Sequence, residues 1–109
     1  MASSKRFLVC DRYDNEIYLT HERWEHIIEK TNHPEMIDCE EQLKQTIHSG
    51  KRKQDALNPQ KYRYIKAFDG LAGDNTHIVV IVLFRFIEDG MGNLVPNNYI
   101  VTAYQKERG

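Results

Sequence analysis

The segment that most constrains the fold is an unbroken apolar run at residues 78–84, inside the stretch 77–87. Most of its residues are β-branched, and a short apolar run of this kind is typical of a strand covered on at least one face. We therefore expect it to form the middle of a β-sheet. A chain of 109 residues, 40% of them hydrophobic, suits one core and is too short for two ordinary domains. Residues 1–109 are thus predicted to be a single domain.

Other segments have the composition of shorter strands. We predict a strand pair at 7–10 and 16–19, a weak strand at 54–57, and later strands at 61–68 and 98–104. Residues 88–97 are interpreted as a polar connection. Strands that follow helices, rather than alternate with them, favour an α+β fold. The expected architecture is an N-terminal strand pair, two helices and an antiparallel sheet of about four strands.

The first helix is predicted from about residue 20 to residue 31. Thr20 is a suitable N-cap, and the residue before Pro34 is disfavoured in a helix. Helical spacing places four residues on the stripe that faces the core: Trp24, Ile27, Ile28 and Thr31.

A second helix is predicted over residues 39–48. Asp38 and Glu41 have the spacing of a capping box, and Gly50 follows the expected end. Cys39, Leu43 and Ile47 then share its apolar side.

Charge and cysteine content exclude several classes of protein. Fifteen Lys and Arg against sixteen Asp and Glu give a net charge of −1, so any site for a polyanion must be a local patch. Two cysteines, Cys10 and Cys39, do not make a disulfide framework and are expected to be reduced thiols. The apolar run at 7–10 is too short for a signal peptide or a membrane span. We expect a cytoplasmic protein with no membrane partner.

The first predicted helix carries residues suited to acid–base chemistry. Helical phase puts Arg23, His26 and Lys30 on one flank, and Glu22, Glu25 and Glu29 on the other. His33 follows at the end of the basic flank. Two histidines can serve as general base and general acid, while Arg23 binds a phosphate. This set would suit RNA cleavage without a metal. The alternative is a solvated helix face.

Two predicted strands carry further candidate residues. Alternation puts Lys61 and Arg63 on one face and Tyr62 on the other, so cations could bind phosphates while a tyrosine stacks on a base. The alternative is cross-strand tyrosine pairing. Thr102 and Tyr104 share one face of the last strand and offer hydroxyls to a cleft; the alternative there is a plain strand.

Metal chemistry is the remaining alternative. His21, His26 and His33 could ligate a metal or haem, but the chain has no paired CxxC or HExxH motif. No metal and no cofactor are expected.

Three stretches of the chain resemble a known nuclease superfamily. They are Ile17-Tyr18-Leu19-Thr20-His21-Glu22-Arg23-Trp24-Glu25-His26-Ile27, then His33-Pro34-Glu35-Met36, and finally Ile100-Val101-Thr102-Ala103-Tyr104. In this order they resemble the BECR-type proteins (barnase, EndoU, colicin and RelE-like), in particular the phage-associated branch. The resemblance covers most of the chain.

The resemblance implies a RelE-like fold and an active site on named residues. It places Arg23, His26 and His33 on the active-site side, with Thr102 and Tyr104 from the last strand. Lys61, Tyr62 and Arg63 are added on physical grounds as RNA-binding residues. Members often carry an arginine directly before His-Pro-Glu, where this chain has Asn32; Lys30 could supply that phosphate contact.

The sequence therefore predicts a small toxin or phage-related endoribonuclease that forms a 2′,3′-cyclic phosphate. His26 and His33 would exchange protons, Arg23 and Lys61 would bind phosphate, and Thr102 and Tyr104 would position the substrate. The alternative is a noncatalytic RNA- or protein-binding module on the same fold. RNA is the expected partner, with an antitoxin or immunity protein and a homodimer through the 100–101 strand edge as further possibilities.

Overall fold

The computed structural model describes residues 4–107, which form an α+β fold. The helical elements are α1 (His21–Ile27), a 3-10 turn (Pro34–Met36) and α2 (Glu40–Ser49). The strands are β1 (Lys5–Cys10), β2 (Glu16–Thr20), β3 (Lys51–Gln54), β4 (Lys61–Ala67), β5 (His77–Leu83), β6 (Phe86–Glu88), β7 (Leu94–Pro96) and β8 (Asn98–Lys106). The predicted order of strand pair, two helices and further strands is confirmed.

Six strands form one mixed sheet in the order β1-β2-β8-β5-β4-β3. Strand β5 lies between β8 and β4, so its predicted central position is confirmed. The prediction of a wholly antiparallel sheet of about four strands is wrong, because β2 pairs with β8 in parallel and joins the N-terminal hairpin to the same sheet. The separate β6–β7 hairpin lies within and beside the connection that the sequence left without structure.

Helices cover one face of the six-stranded sheet and form the core with it. Trp24 and Ile27 of α1 and Leu43 and Ile47 of α2 are buried there. The strand residues buried on this helix-covered face include Ile17, Leu19, Tyr64, Ile78, Val80, Val82, Ile100 and Ala103. Residues alternate between the two faces along a strand, and paired residues project to the same side. The residues that alternate with the buried ones therefore lie on the opposite face, which we call the open face; they include Lys61, Arg63, Ile81, Thr102 and Tyr104.

Helix α1 begins as predicted and ends earlier. The backbone amide of Arg23 donates to Thr20 Oγ1 over 3.1 Å, which confirms the N-cap. The helix ends at Ile27 rather than near residue 31, because loop amides take over its last carbonyls. The side-chain amide of Asn32 donates to the carbonyl oxygen of His26 over 2.7 Å, and the His33 amide donates to that of Ile27 over 2.8 Å.

Asn32 thus closes the helix through its side-chain hydrogen bond.

Three further sequence predictions are corrected. The capping box at Asp38 is wrong, because the N-cap of α2 is Cys39 and makes no side-chain capping bond. Strand β3 covers residues 51–54, which include the basic triplet, whereas the sequence predicted a strand at 54–57. The strand edge at 100–101 is not exposed as predicted, because Ile100 is buried beside the residues of β8 that pair with β2, Asn98 and Tyr99; a homodimer stays a prediction.

A buried carboxylate ties the β1–β2 turn to the opposite half of the sheet. Asp11 is 3% exposed and accepts hydrogen bonds from the amides of Tyr13 and Asn15, from the Asn15 side chain, and from the Tyr64 hydroxyl over 2.5 Å. Burial alone would raise the pKa of Asp11, but these hydrogen bonds outweigh burial and lower it. Arg52 Nη1 lies 3.7 Å from the same carboxylate.

We expect Asp11→Asn to lower the free energy of unfolding by about 2–3 kcal/mol at neutral pH, because an amide cannot accept on both sides. Asp14→Asn is the matched control, since Asp14 is exposed in the same turn. A carboxylate with a lowered pKa stabilises the fold above its unfolded pKa, and this contribution is lost as the pH falls through the folded value. Urea unfolding between pH 7 and pH 3 should therefore show a smaller acid dependence in Asp11→Asn. An equal dependence in both variants would contradict this role.

Candidate nucleic-acid interface

Two of the predicted catalytic residues lie in a cleft beside α1. Arg23 and His26 line it together with Lys5, Tyr18 and Thr20, and its volume is about 670 Å³. Three carboxylates also line it: Glu22, Glu25 and Glu29. The sequence predicted separate acidic and basic flanks, but this cleft receives side chains from both. Carboxylates would repel the phosphate that Arg23 was expected to bind.

His26 is engaged within this acidic surface. Its Nδ1 lies 3.5 Å from Glu29 Oε1, and the side chains of both residues are more than half exposed. Lys30 is exposed on the turn after α1 and does not line this cleft. His26 therefore lies beside Glu29 on a surface open to solvent rather than in an enclosed site for a reacting phosphate.

His33 lies elsewhere, against the last strand of the sheet. Its ring centroid is 5.4 Å from that of Tyr104, with the planes tilted by 33°. Its Nδ1 lies 3.7 Å from Glu35 Oε2, and that oxygen accepts the Gln105 amide over 3.4 Å. The 3-10 turn is thereby held on β8, which fixes His33 beside Tyr104.

Strand register places the open-face residues in rows across the sheet. One row joins Thr102 on β8 to Ile81, Arg63 and Lys53 on β5, β4 and β3. The next row runs from Tyr104 through Val79 and Ile65 to Lys51. Hydroxyl groups therefore occupy the β8 end of two adjacent rows, and cationic side chains occupy the β3 end.

A second cleft opens on this face, with a volume of about 380 Å³. We call it the cationic cleft. Its lining consists of Lys53, Gln54, Asp55, Ala56, Lys61, Tyr62, Arg63, Ile81 and Tyr104. Three cations thus face a single carboxylate among the lining residues. Tyr104 gives the cleft a phenol on the side opposite the cations of β3.

The one carboxylate of the cationic cleft is held by its own loop. Asp55 Oδ1 accepts the amides of Leu57 and Asn58 over 2.8 Å and 3.0 Å. These hydrogen bonds lower the pKa of Asp55 and keep it ionised. Its charge is therefore directed toward the backbone of the 55–58 turn, and the cleft stays positive overall.

The ring of Tyr62, a residue of the cationic cleft lining, packs against neighbouring side chains. Its ring packs on Phe84 with a centroid separation of 4.8 Å, and the Arg52 guanidinium lies 4.5 Å from its centroid. Alternation along β4 directs this ring away from Lys61 and Arg63. Tyr104, in contrast, projects to the open face together with those cations.

The predicted site residues thus separate into two groups. Arg23 and His26 share the acidic-lined cleft, whereas Tyr104, Lys61 and Arg63 share the cationic cleft. His33 joins the second group through Tyr104, and Thr102 joins it through the row that contains Arg63.

Lys53 is a site residue that the sequence interpretation missed. The sequence analysis predicted no strand at 51–53, but alternation within 51–54 would have placed Lys51 and Lys53 on one face of a strand. Within residues 4–107, no three His, Cys, Asp or Glu side chains gather as a metal site would require.

Comparisons with known proteins add no family to this description. No family model, no curated protein and no solved structure matched the chain. Across the described part of the chain, no helix is both long and apolar enough to cross a bilayer.

Proposed function

We propose that this protein is a small endoribonuclease that binds single-stranded RNA in the cationic cleft and cleaves it by transesterification. The observation that carries the proposal is the grouping of Lys53, Lys61 and Arg63 around Tyr104, with the ring of His33 against that tyrosine. It agrees with the activity that the BECR resemblance implies, but it moves the reaction from the α1 cleft to the open face.

The cations supply the electrostatic part of the reaction. A guanidinium can bind two phosphate oxygens at once, and lysines add point charges around the same group. Charge accumulates on the phosphate as it becomes pentacovalent, so fixed cations stabilise the transition state more than the ground state. Near-neutral net charge does not oppose this, because the cleft itself is locally positive.

His33 and Tyr104 supply the proton transfers. The His33 imidazole takes the proton of the ribose 2′-hydroxyl, whose oxygen forms a new bond to phosphorus. The bond between phosphorus and the 5′-oxygen breaks, and the Tyr104 hydroxyl donates its proton to that oxygen. The products are a 2′,3′-cyclic phosphate and a free 5′-hydroxyl. Tyr104 thus replaces His26 as the partner of His33, and Arg63 replaces Arg23 as the main phosphate ligand.

A direct assay tests the reaction. Purified protein is incubated in EDTA with a labelled single-stranded RNA and, as control, with the same strand carrying 2′-O-methyl groups. We expect cleavage of the RNA only, with a 2′,3′-cyclic phosphate detected by mass spectrometry, because the 2′-hydroxyl is the nucleophile. Cleavage of the methylated strand, or a strict need for added metal, would contradict the proposed chemistry.

A noncatalytic RNA-binding protein is the second candidate. It is favoured by the separation of His26 from His33, which leaves one imidazole instead of two beside the cationic cleft. In that case the unmodified RNA is retained with salt-dependent affinity and recovered at full length. An antitoxin or immunity protein stays a proposal tied to the nuclease, since cleavage of cellular RNA would require an inhibitor.

A further inference from the structure

A third cleft lies at one corner of the sheet and has a strongly basic lining. Its volume is about 560 Å³, and we call it the corner cleft. It is lined by Arg12, Ser49, Gly50, Lys51, Ile65, Lys66, Ala67, His77 and Lys106. Four of these residues carry a fixed positive charge, and none is acidic. The proposed reaction does not use any of them.

The fold assembles this corner from distant parts of the chain. Lys51 is the first residue of β3 and pairs with Ile65, while β4 continues past it to Ala67. Ala67 pairs with His77, and His77 pairs with Lys106 on β8, so these side chains share the open face. At this corner the edge strand β3 begins, while β4, β5 and β8 extend beyond it.

The end of α2 closes the other side of the corner cleft. Arg12 reaches it from the β1–β2 turn and donates through Nη2 to the carbonyl oxygen of Ser49. Gly50 is packed so tightly that a Cβ would lie 2.3 Å from the carbonyl oxygen of Thr46 and 2.8 Å from that of Ile65. Glycine at this position lets the helix end directly against β4, which brings Arg12 to the cations of the strands.

The corner cleft and the cationic cleft follow one another along the same two strands. Lys51 lines the first and Lys53 the second, and in a strand these two residues lie roughly 7 Å apart on the same face. Ile65 and Arg63 repeat this step on β4. A chain of phosphates that follows the strands would therefore pass from one cleft to the other.

We propose that the corner cleft binds further phosphates of the same RNA strand, so that the substrate is an oligonucleotide rather than a dinucleotide. This inference rests on the proposed function. A lining with four cations and no carboxylate suits a polyanion, and its position next to the cationic cleft gives the RNA a path along β3 and β4. Binding energy gained in the corner cleft would hold the scissile phosphate against Arg63 and Tyr104.

The test compares short and long RNA in the double variant Lys51→Ala/Lys106→Ala. A fluorescent trinucleotide and a fluorescent 12-mer, both with 2′-O-methyl groups to prevent cleavage, are titrated by anisotropy at several salt concentrations. We expect the variant to bind the 12-mer about tenfold more weakly, with a salt slope reduced by about 1.4, the value for two lost contacts on a single strand. Trinucleotide affinity should stay unchanged.

Lys5→Ala/Lys30→Ala is the matched control. It also removes two positive charges, but these residues line neither the corner cleft nor the cationic cleft. Thermal unfolding verifies that each variant is folded. Wild-type affinity for the 12-mer in the Lys51/Lys106 variant would overturn this inference and leave the proposed function standing, as would an equal loss for both lengths. If the wild-type protein binds neither RNA, the proposed function fails together with it.

Discussion

Replacement of Tyr104 by phenylalanine is expected to slow RNA cleavage by about 10²–10⁴-fold, the usual range for loss of a proton-transfer group. The substitution keeps the ring that packs on His33 and removes only the hydroxyl, so RNA affinity and thermal stability should stay close to wild type. Single-turnover cleavage of a labelled RNA measures the rate, and anisotropy with the 2′-O-methyl strand measures affinity. A fall in kcat with unchanged affinity identifies a group that acts in the transition state.

Tyr99→Phe is the matched control for this variant. Tyr99 lies on the same strand and packs on Tyr18 with a centroid separation of 6.1 Å, outside the lining of the cationic cleft. Its loss of a hydroxyl should leave cleavage unchanged. Equal cleavage rates for Tyr104→Phe and the wild-type protein would show that the Tyr104 hydroxyl is not the proton donor.

Substitution of the two histidines then distinguishes the proposed site on the open face from the site that the sequence predicted beside α1. His33→Ala should lower the cleavage rate over the same range as Tyr104→Phe, whereas His26→Ala should have little effect, because His26 lies among glutamates. The reverse result would indicate that cleavage takes place beside α1, as the helical pattern predicted. RNA cleavage by a variant lacking both histidines and Tyr104 would indicate a contaminating nuclease.

Local sequence patterns predicted the individual elements better than their assembly. The apolar run in β5 marks a central strand because a strand covered by neighbours needs apolar residues at almost every position. Thr20 predicts the start of α1 because a hydroxyl there can accept an amide of the first turn. Neither pattern carries information about which distant strand becomes a neighbour, so the parallel pairing of β2 with β8 was not predictable from periodicity.

Strand β3 was missed because its residues do not alternate between apolar and polar. Lys51, Arg52 and Lys53 are suited to an edge strand, where charged side chains discourage pairing with other molecules. The surrounding structure decides the use of each cation. Arg52 lies 4.1 Å from the Tyr13 ring centroid and faces the core side, whereas Lys51 and Lys53 line clefts on the open face.

The candidate site depends on strand register, which explains why the sequence did not indicate how the structure groups its residues. Helical phase alone puts Arg23 and His26 together and His33 near them. His33 instead joins Tyr104, because the Asn32 side chain ends the helix and the 3-10 turn docks on β8. The grouping of Arg63 with Thr102 and Tyr104 requires knowledge that β5 separates β4 from β8.

Substitution of Arg63 carries the second large expected effect. Arg63→Ala should lower kcat/KM by about 10²–10³-fold, comparable to the loss of one donor to a developing oxyanion. Its side chain is exposed on the open face, so the free energy of unfolding should change by no more than about 0.5 kcal/mol. Steady-state cleavage and urea unfolding measure the two quantities.

Arg63→Lys separates charge from geometry at the same position. Lysine keeps the positive charge but lacks the planar pair of donors that can bind two phosphate oxygens. Binding of the 2′-O-methyl strand should therefore recover in Arg63→Lys, while the cleavage rate stays low. Arg23→Ala serves as the control and should retain nearly full activity, because its cleft is lined by three glutamates. If Arg23→Ala loses cleavage and Arg63→Ala does not, phosphate binds beside α1, and the cations of the open face have a different function.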